Sequence, residues 1–389
     1  MRYQLECSKL EFFRPDAFGF INKLKTQPSK YPMINLSIGA PNRPTPAWII
    51  EAMKTHLDNP AYHTYPPQHG APELCEAVAY WYGKRFGVEI DPKDNVLITV
   101  GIKEAIFNAL HSLVNAGDVV MVPDPGYPTY FEAVLFTGGK LLAYNSDAEA
   151  DEVLSEIEHK ARLHGPKIVI VNYPSNPTGR IVGLDFYKSL SEIASRYDFA
   201  VMSDLAYSEI AFDGLTVHSY LQARPGLELG FEYFAFSKTY NMAGWRVGAI
   251  VGDKRLVDAV KLYKSKIDSN VFYPIQQAAV TALKETPDSF YRELSGMYQQ
   301  RRDALVHGLS DIGLRFSPPQ GAMYTWVETP EGVDPWFFTE KLYKEYGILV
   351  VPGTAYGLNG SQRVRMGLVQ ETPLMEEAAR RLAEGGLLR

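Results

Sequence analysis

The chain has 389 residues, of which 46% are apolar and 22% charged, with a net charge of −6. These proportions are typical of a globular protein and exclude a disordered or fibrous one. The length predicts two domains rather than one core. Charges of both signs are interspersed without a lysine or arginine stripe, which argues against a nucleic-acid partner. No apolar segment is long enough to predict a membrane span.

The cysteine content points to a reducing compartment. Cys7 and Cys75 are the two cysteines of the sequence, and they lie far apart without metal-ligand spacing. This usage argues against a disulfide framework and against a metal site. The opening sequence MRYQLECSKLEFF has no apolar core followed by a cleavage site, so no secretory signal is predicted. We therefore expect a cytoplasmic protein.

Residues 95–250 alternate short β-branched runs with helical segments. The pattern predicts strands at 95–100, 118–123, 139–144, 166–174, 199–204 and 231–238. Helices are predicted at 103–117, 149–163 and 184–196. Parallel strands need a crossover connection, so this alternation predicts a mainly parallel sheet with helices on both faces.

The regular alternation is lost after residue 250. A helical stretch is predicted near 254–310, followed by strands at 321–329, 348–353 and 362–368 and a helix at 335–346. This order is typical of a smaller α+β domain. We predict an N-terminal arm with part of the small domain at 1–45, a large domain at 46–280 and a small domain at 281–389.

Residues that could contact a ligand, through a polar side chain or a backbone amide, follow five of the predicted strands. They are Gly101, Ile102, Lys103, Tyr127, Asn176, Asp204, Tyr207, Ser237 and Lys238. Ligands of open α/β sheets bind beyond the carboxyl ends of the strands, so these residues are expected at one edge. Each of them alone also fits a turn, a helix cap or a packed aromatic ring. Their coincidence at five strand ends predicts a ligand site.

Lys238 indicates the chemistry of that site. Lysine is almost never buried without a reason, and a desolvated amine can form a Schiff base with an aldehyde. Pyridoxal phosphate needs such an amine, an acid beside its pyridine nitrogen and an anion site. Asp204 is the candidate acid. The helix start after Gly101, together with Ser237 and Arg246, is the candidate phosphate site.

The sequence contains SKTYNMAGWRVG at 237–248, NPTG at 176–179, D-x-x-Y at 204–207 and a late arginine in RVRMGL. With these motifs it resembles fold type I pyridoxal-phosphate enzymes, specifically class I/II aminotransferases, over nearly the whole chain. The resemblance implies an aspartate-aminotransferase-like α/β fold. Its large domain has a mostly parallel seven-stranded sheet between helices, and a smaller α+β domain follows.

The resemblance also implies roles for the matching residues. Lys238 is the Schiff-base lysine and the acid/base, and Asp204 pairs with the pyridinium nitrogen. Tyr207 and Asn176 contact the phenolic oxygen of the cofactor ring, and Tyr127 stacks on that ring. The implied phosphate-binding residues are Gly101, Ile102, Lys103, Ser237, Arg246 and, reaching the other subunit of a homodimer, Tyr65. The implied substrate-binding residues are Arg365, Gly39 and Asn176.

Two positions depart from the family pattern. Ala235 stands where many relatives have serine or glycine, and Ile102 replaces a small or polar residue. Both departures concern contacts to the phosphate. Neither removes a catalytic group.

The implied activity is ping-pong transfer of an amino group between an L-amino acid and a 2-oxo acid, with glutamate and 2-oxoglutarate as one pair. The stretches NYPSNPTG and LAYSEIAFDG resemble most the branch that contains LL-diaminopimelate, alanine and aspartate aminotransferases. Two alternatives stay open at this point. One is a β-carbon–sulfur lyase with the same lysine and cofactor, and the other is a non-catalytic domain that senses pyridoxal phosphate or an amino acid.

Overall fold

The computed structural model describes residues 8–13, 16–224, 226–385 and 387. Its strands are β1 (Ile34–Asn35), β2 (Val96–Thr99), β3 (Val119–Asp124), β4 (Lys140–Asn145), β5 (Ile168–Asn172), β6 (Ala200–Asp204), β7 (Gly230–Ala235), β8 (Gly248–Gly252), β9 (Tyr324–Glu328), β10 (Ile348–Leu349), β11 (Val351–Pro352) and β12 (Arg363–Gly367). Its α-helices are α1 (Ala17–Leu24), α2 (Ala47–Leu57), α3 (Pro72–Phe86), α4 (Gly101–Leu113), α5 (Pro128–Thr137), α6 (Ala150–His164), α7 (Leu184–Tyr197), α8 (Phe236–Thr239), α9 (Lys254–Lys264), α10 (Tyr273–Glu285), α11 (Asp288–Asp311), α12 (Pro335–Tyr346) and α13 (Thr372–Glu384).

Seven strands form the main sheet in the order β2-β8-β7-β6-β5-β3-β4. The pairs from β7 to β4 are parallel, and β8 is antiparallel to both of its neighbours. The predicted mostly parallel seven-stranded sheet is therefore confirmed. The predicted set of strands lacked β8, because its short run GAIVG follows the lysine segment without the long crossover helix that precedes a parallel strand.

Both faces of this sheet are buried. In β5, Ile168 and Ile170 belong to one apolar cluster, while Val169 and Val171 belong to another on the opposite face. This alternation follows from the two-residue period of a strand. Helices α4, α5 and α9 contribute to the first cluster, and α3, α6, α7 and α10 contribute to the second. Each fully buried valine or isoleucine contributes about 1.5–3 kcal/mol to folding.

The C-terminal part has smaller sheets. Strands β11, β12 and β9 form an antiparallel sheet, and β1 pairs in parallel with β10. The segment near residue 34 is thus attached to the C-terminal part, next to the third apolar cluster of the protein. The domain boundaries at 45/46 and 280/281 stay a prediction.

The end of β7 differs from the prediction. The strand predicted at 231–238 ends at Ala235, and α8 then holds Ser237 and Lys238 in one helical turn. A short 3-10 helix at Ala243–Trp245 leads to Arg246, whose φ of 56° reverses the chain into β8. The reversal places the Arg246 guanidinium beside Gly101, at the start of α4.

The structure also bears on membrane spans, metal sites and cysteines. Among the described helices, none is long and apolar enough to cross a membrane. The described residues also contain no group of His, Cys, Asp and Glu side chains arranged to hold a metal ion. Cys75 is a buried free thiol, and Cys7 lies outside the described residues.

A buried carboxylate joins β6 to β7 directly below the ligand edge. Glu232 of β7 is fully buried, and its oxygens accept hydrogen bonds from the hydroxyls of Tyr82 (3.0 Å), Ser203 (2.9 Å) and Ser219 (2.7 Å) and from the Tyr220 amide (3.0 Å). No cation is among these donors, and burial raises the pKa of Glu232 to about 7. The cluster therefore fixes the β6–β7 pair through hydrogen bonds and without an ion pair.

This cluster predicts a pH-dependent stability. The pKa of Glu232 is about 7 in the folded chain against an ordinary value of 4.5. The folded state therefore binds a proton that the unfolded state has lost. The protonated Glu232 therefore stabilises the folded state by up to about 3 kcal/mol. This stabilisation is complete below pH 4.5 and is lost as the pH rises through 7. We expect the free energy of unfolding, from urea titrations across this window, to fall less with pH in Glu232→Gln than in the native chain.

The exposed Glu192 of α7 supplies the control for that experiment. Glu192→Gln removes a carboxylate without touching the cluster, so it should keep the full pH dependence. Equal slopes for Glu232→Gln and Glu192→Gln would contradict the prediction.

Candidate active site

The carboxyl ends of β2, β3, β5, β6 and β7 surround a cavity of about 310 Å³. The predicted residues that line it are Gly39, Ile102, Lys103, Tyr127, Asn176, Asp204, Tyr207, Ser237, Lys238, Arg246 and Arg365. Gly101 lies beside it, against Arg246. Tyr65 is 87% exposed and does not line the cavity of its own chain. The structure thus brings together all predicted site residues except Tyr65.

Lys238 projects into this cavity from α8. Its Nζ donates a hydrogen bond to the Gly39 carbonyl oxygen at 2.5 Å. Burial and the positive charges of Arg365 and Arg246 lower the pKa of Lys238 to about 8, although Asp204 opposes the change. A substantial fraction of the amine is therefore neutral near pH 8, which is the form that attacks an aldehyde.

Asp204 ends β6 and is 4% exposed. Its Oδ2 accepts a hydrogen bond from the Tyr130 hydroxyl at 2.6 Å, and its Oδ1 accepts one from the Ala206 amide at 3.0 Å. Burial raises the pKa of Asp204 to about 6, while both hydrogen bonds and Lys238 oppose the rise. The side chain is ionised at neutral pH and can pair with a protonated ring nitrogen.

Arg365 is a buried cation of β12 that is 3% exposed. Its guanidinium donates to the Asn176 side-chain oxygen at 3.1 Å and to the Ser37 carbonyl at 2.9 Å, and its Nε has no partner. Within the described residues no carboxylate pairs with it. Burying a charge without a counter-ion is costly, so this arginine can gain much from an anionic ligand.

The start of α4 forms a second place for an anion. Gly101 has a φ of 76°, and a Cβ at this position would lie 2.4 Å from Nη2 of Arg246, so only glycine fits. Arg246 donates to the carbonyls of Ala243 (2.9 Å) and Val100 (3.4 Å), which are neutral acceptors. Its guanidinium and the free amides of the first helical turn face the same space, an arrangement that attracts phosphate.

Aromatic residues complete the walls. The Tyr207 hydroxyl lies 2.9 Å from the Tyr324 hydroxyl, whose ring packs under the Arg365 guanidinium at 4.1 Å. A Cβ on Gly39 would lie 2.7 Å from the Tyr324 hydroxyl, which explains the glycine. Tyr127 contacts Tyr130 edge to face, with the ring centres 5.6 Å apart.

Sequence reasoning missed three residues of this site. Tyr130 follows Tyr127 by one helical turn, and Asn172 is the last residue of β5, so the strand-end argument could have found both. The Asn172 side chain donates to the Asp204 carbonyl at 2.9 Å and accepts from the Asn176 amide at 2.8 Å. Tyr324 comes from the distant strand β9, and no local pattern in the sequence indicates it.

The charges of the cavity define what it binds. Its lining has four cationic side chains, those of Lys103, Lys238, Arg246 and Arg365, and the carboxylate of Asp204. The cavity thus has two anion sites, a reactive amine and an acid that can pair with a ring nitrogen. These groups fit a phosphorylated pyridine aldehyde together with a substrate that has a carboxylate. The fold and the site thus define an enzyme that works with pyridoxal phosphate.

Comparisons with known proteins identify the family. The pattern of the family described as "Aminotransferase class I and II" matches residues 31–382. The LL-diaminopimelate aminotransferase of Desulforudis audaxviator is 38% identical over 386 residues, which is 97% of each chain. A solved aminotransferase structure from Staphylococcus aureus has a TM-score of 0.87 at 31% identity, covering 98% of this chain and all of the other.

A solved aspartate aminotransferase mutant from Thermus thermophilus has a TM-score of 0.89 at 27% identity, covering 99% of this chain and all of the other. The chain belongs to the class I and II aminotransferases. It is a pyridoxal-phosphate-dependent enzyme of fold type I that transfers amino groups. The expected fold, cofactor and reaction are thereby confirmed, and the lyase and sensor alternatives give way to the aminotransferase.

The pKa of Lys238 leads to a prediction for the full-length chain freed of cofactor. Capture of pyridoxal, followed by absorbance, should accelerate as the pH rises and level off with a midpoint near 8 rather than near the ordinary lysine value of 10.5. Because the positive charge of Arg365 lowers this pKa, Arg365→Gln should move the midpoint upward. Arg365→Lys retains the charge and should leave it near 8. An unchanged midpoint in Arg365→Gln would contradict this assignment.

Proposed function

We propose that this enzyme transfers an amino group from LL-diaminopimelate to 2-oxoglutarate. One combination of features carries the proposal. Arg365 is a buried arginine without a counter-ion, and a second, outer cavity adjoins the cavity that Arg365 lines. Side chains of both charges line this outer cavity. The first feature suits an α-carboxylate. The second suits a substrate whose far end bears an ammonium and a carboxylate.

The residues of the inner cavity have distinct roles in the proposed reaction. Arg365 binds the substrate α-carboxylate through its two terminal nitrogens, with Asn176 and Gly39 beside it. The bound cofactor supplies an aldehyde that condenses with amines and a ring that withdraws electrons from the substrate Cα. The neutral Lys238 Nζ takes the proton from that Cα. Asp204 keeps a proton on the pyridine nitrogen, and Tyr207 donates to the ring oxygen.

The proposed phosphate contacts come from the edge of the same cavity. The amides of Gly101, Ile102 and Lys103, the Ser237 hydroxyl and the Arg246 guanidinium hold the group, while Tyr127 covers the cofactor ring. The Ile102 side chain is apolar, so its contribution is limited to the backbone. Ala235 offers no hydroxyl in place of the serine found in many relatives.

The outer cavity has a volume of about 890 Å³ and shares Phe18 and Lys103 with the inner one. Glu132 also lines it and is half-buried; burial raises its pKa while Lys103 opposes the rise. Among the described residues, neither Lys103 nor Glu132 has an ion-pair or hydrogen-bond partner within bonding distance. Both charges are therefore available to the far end of a substrate, Lys103 to its carboxylate and Glu132 to its ammonium.

The names of relatives support the same substrate. The protein of Desulforudis audaxviator is called LL-diaminopimelate aminotransferase, and the match covers nearly all of both chains. LL-diaminopimelate has the two α-amino acid ends that the paired cavities call for. Glutamate and 2-oxoglutarate are the proposed second pair, since both present an α-carboxylate to Arg365.

A single-turnover assay tests the substrate. The cofactor-loaded enzyme is mixed with LL-diaminopimelate, alanine, aspartate, glutamate or phenylalanine, and the 2-oxo acid product is measured. We expect LL-diaminopimelate to react with the highest kcat/KM, apart from glutamate, the proposed second pair. Glu132→Gln should lower that value by about tenfold, because a contact to a charged group is lost, and should leave the reaction with glutamate unchanged.

The exposed Glu152 of α6 supplies the matched control, because Glu152→Gln removes a carboxylate remote from both cavities. Faster reaction with alanine or aspartate than with LL-diaminopimelate would overturn the proposed substrate. Pyruvate release from cystathionine without an added oxo acid would instead indicate a lyase. Product formation by Lys238→Ala at the native rate would overturn the role of Lys238.

We also propose that the enzyme is a homodimer in which Tyr65 reaches the phosphate in the other subunit. Tyr65 is 87% exposed, and Ile267 and Phe272 nearby are 57% and 38% exposed. The two segments are joined within the chain, because the Asn270 side chain donates to the Gln68 carbonyl at 2.9 Å. Such an apolar surface suits a second copy of the chain. A cytoplasmic location stays a prediction, supported by the low cysteine content.

Subunit complementation tests the shared site. Lys238→Ala and Tyr65→Ala homodimers should each have low activity. In a mixed dimer, one of the two sites receives Lys238 from one chain and Tyr65 from the other, and is therefore native. Unfolding and refolding an equal mixture should restore about one quarter of the native sites, as random pairing of subunits dictates. No recovery in a mixture whose dimers have formed would contradict the role of Tyr65.

A further inference from the structure

A group of charged side chains around the buried Lys264 lies at the start of α4, outside the cavity. Glu104 is in the first turn of α4, and its Oε2 accepts a hydrogen bond from the Val100 amide at 3.1 Å. The Val100 carbonyl accepts a hydrogen bond from Arg246 at 3.4 Å. Val100 is the residue that caps α4, so its peptide groups are held from both sides.

Lys264 holds Glu104 in turn. This lysine is in the last turn of α9 and is 1% exposed, and its Nζ lies 3.1 Å from Oε1 of Glu104. Its Nζ also forms an ion pair with Asp268, and the Asn108 side chain donates to Oε1 of Glu104. Every polar atom of the Glu104 carboxylate is thus engaged. Burial raises the pKa of Glu104, and Lys264 opposes that rise.

The group extends to the segment before α3. The Asp268 carboxylate accepts from the Asn270 amide at 2.6 Å, and the Asn270 side chain donates to the Gln68 carbonyl at 2.9 Å. The backbone of Asn270 has a φ of 73°, which asparagine tolerates better than most residues. A continuous set of hydrogen bonds therefore runs from the α4 N-terminus to the segment that contains Tyr65.

Stability alone is a weak reason for this arrangement. Taking a lysine fully and two carboxylates partly out of water is costly, and apolar residues of similar volume often serve a core equally well. Neither Glu104 nor Lys264 lines the cavity, so neither group contacts a substrate. A carboxylate in the first turn of α4 would also repel a phosphate at the same helix end, and the positive charge of Lys264 offsets that repulsion.

We propose that Glu104 and Lys264 are positioning residues that hold the first turn of α4 in its phosphate-binding shape before the cofactor arrives. Glu104 fixes the Val100 amide, and Lys264 fixes Glu104 while neutralising its charge. The amides of Gly101 and Ile102 then need no reordering on binding, which raises affinity. This inference rests on the phosphate site assigned under the proposed function.

The test compares two aldehydes that differ by the phosphate. The full-length chain is freed of cofactor, and the dissociation constants of pyridoxal phosphate and pyridoxal are measured by absorbance titration. Glu104→Ala leaves Lys264 paired with Asp268, so it strands no buried charge. This variant should raise the dissociation constant of pyridoxal phosphate about tenfold, in line with the loss of a helix-capping contact. The affinity for pyridoxal should stay the same, which a general loss of structure would not produce.

Two further variants keep the test decisive. Glu104→Gln retains the volume and one acceptor oxygen, so it should lose less phosphate-dependent affinity than Glu104→Ala, and it serves alone if Glu104→Ala does not fold. Asp334→Ala is the matched control, because Asp334 caps α12 by accepting from the amides of Trp336 and Phe337. It should lower the melting temperature and leave the affinity ratio of the two aldehydes unchanged.

Arg246→Ala tests the phosphate site separately from the positioning role of Glu104 and Lys264. If this variant retains the native ratio, the phosphate site itself is wrongly assigned. If Arg246→Ala lowers the ratio while both Glu104 variants keep it, the phosphate site stands and the positioning role is wrong. Equal losses of affinity for both aldehydes in the Glu104 variants would also overturn the positioning role.

Discussion

The positive charge of the cavity is the constraint around which the site is built. Lys238, Arg246 and Arg365 line one small cavity, with Asp204 as the carboxylate beside them. Like charges in such a space repel, and burial disfavours the charged forms of Lys238 and Arg365. The fold offsets the cost with neutral acceptors, since the carbonyls of Gly39 and Ser37 receive Lys238 and Arg365. The charges are thereby kept ready for anionic ligands and are not neutralised by the protein.

This arrangement joins two parts of the chain. Lys238 and Asp204 belong to the seven-stranded sheet, whereas Arg365 is on β12 of the smaller sheet. Contacts across the site include the Lys238 bond to Gly39, the Arg365 bond to Asn176 and the Tyr207 hydroxyl contact to Tyr324. A ligand that engages both sides exchanges these bonds for its own. Substrate binding and the packing of the two parts are therefore linked through the same polar atoms.

Local periodicity was enough to predict the main sheet, and the rule about strand ends gathered residues as distant as Tyr127 and Lys238. It could not find β8, because an antiparallel strand needs no long crossover helix and so shows no crossover pattern. Nor could it indicate Tyr324, which reaches Tyr207 across 117 residues of sequence. The missing counter-ion of Arg365 is likewise a property of packing, since only the fold decides which charges are buried together. The role proposed for Tyr65 involves a second chain, which one sequence does not describe.

The departure at Ile102 has a packing explanation. Its side chain packs against the apolar cluster on one face of the main sheet and also against the cluster of the C-terminal part. A small or polar residue here would contact phosphate but would leave these two clusters without a shared apolar side chain. Burying an isoleucine contributes on the order of 2 kcal/mol, comparable with one charge-assisted hydrogen bond. Ile102 thus gives cohesion between the parts that carry Lys238 and Arg365. In the proposed phosphate site, its contribution is then limited to its backbone amide.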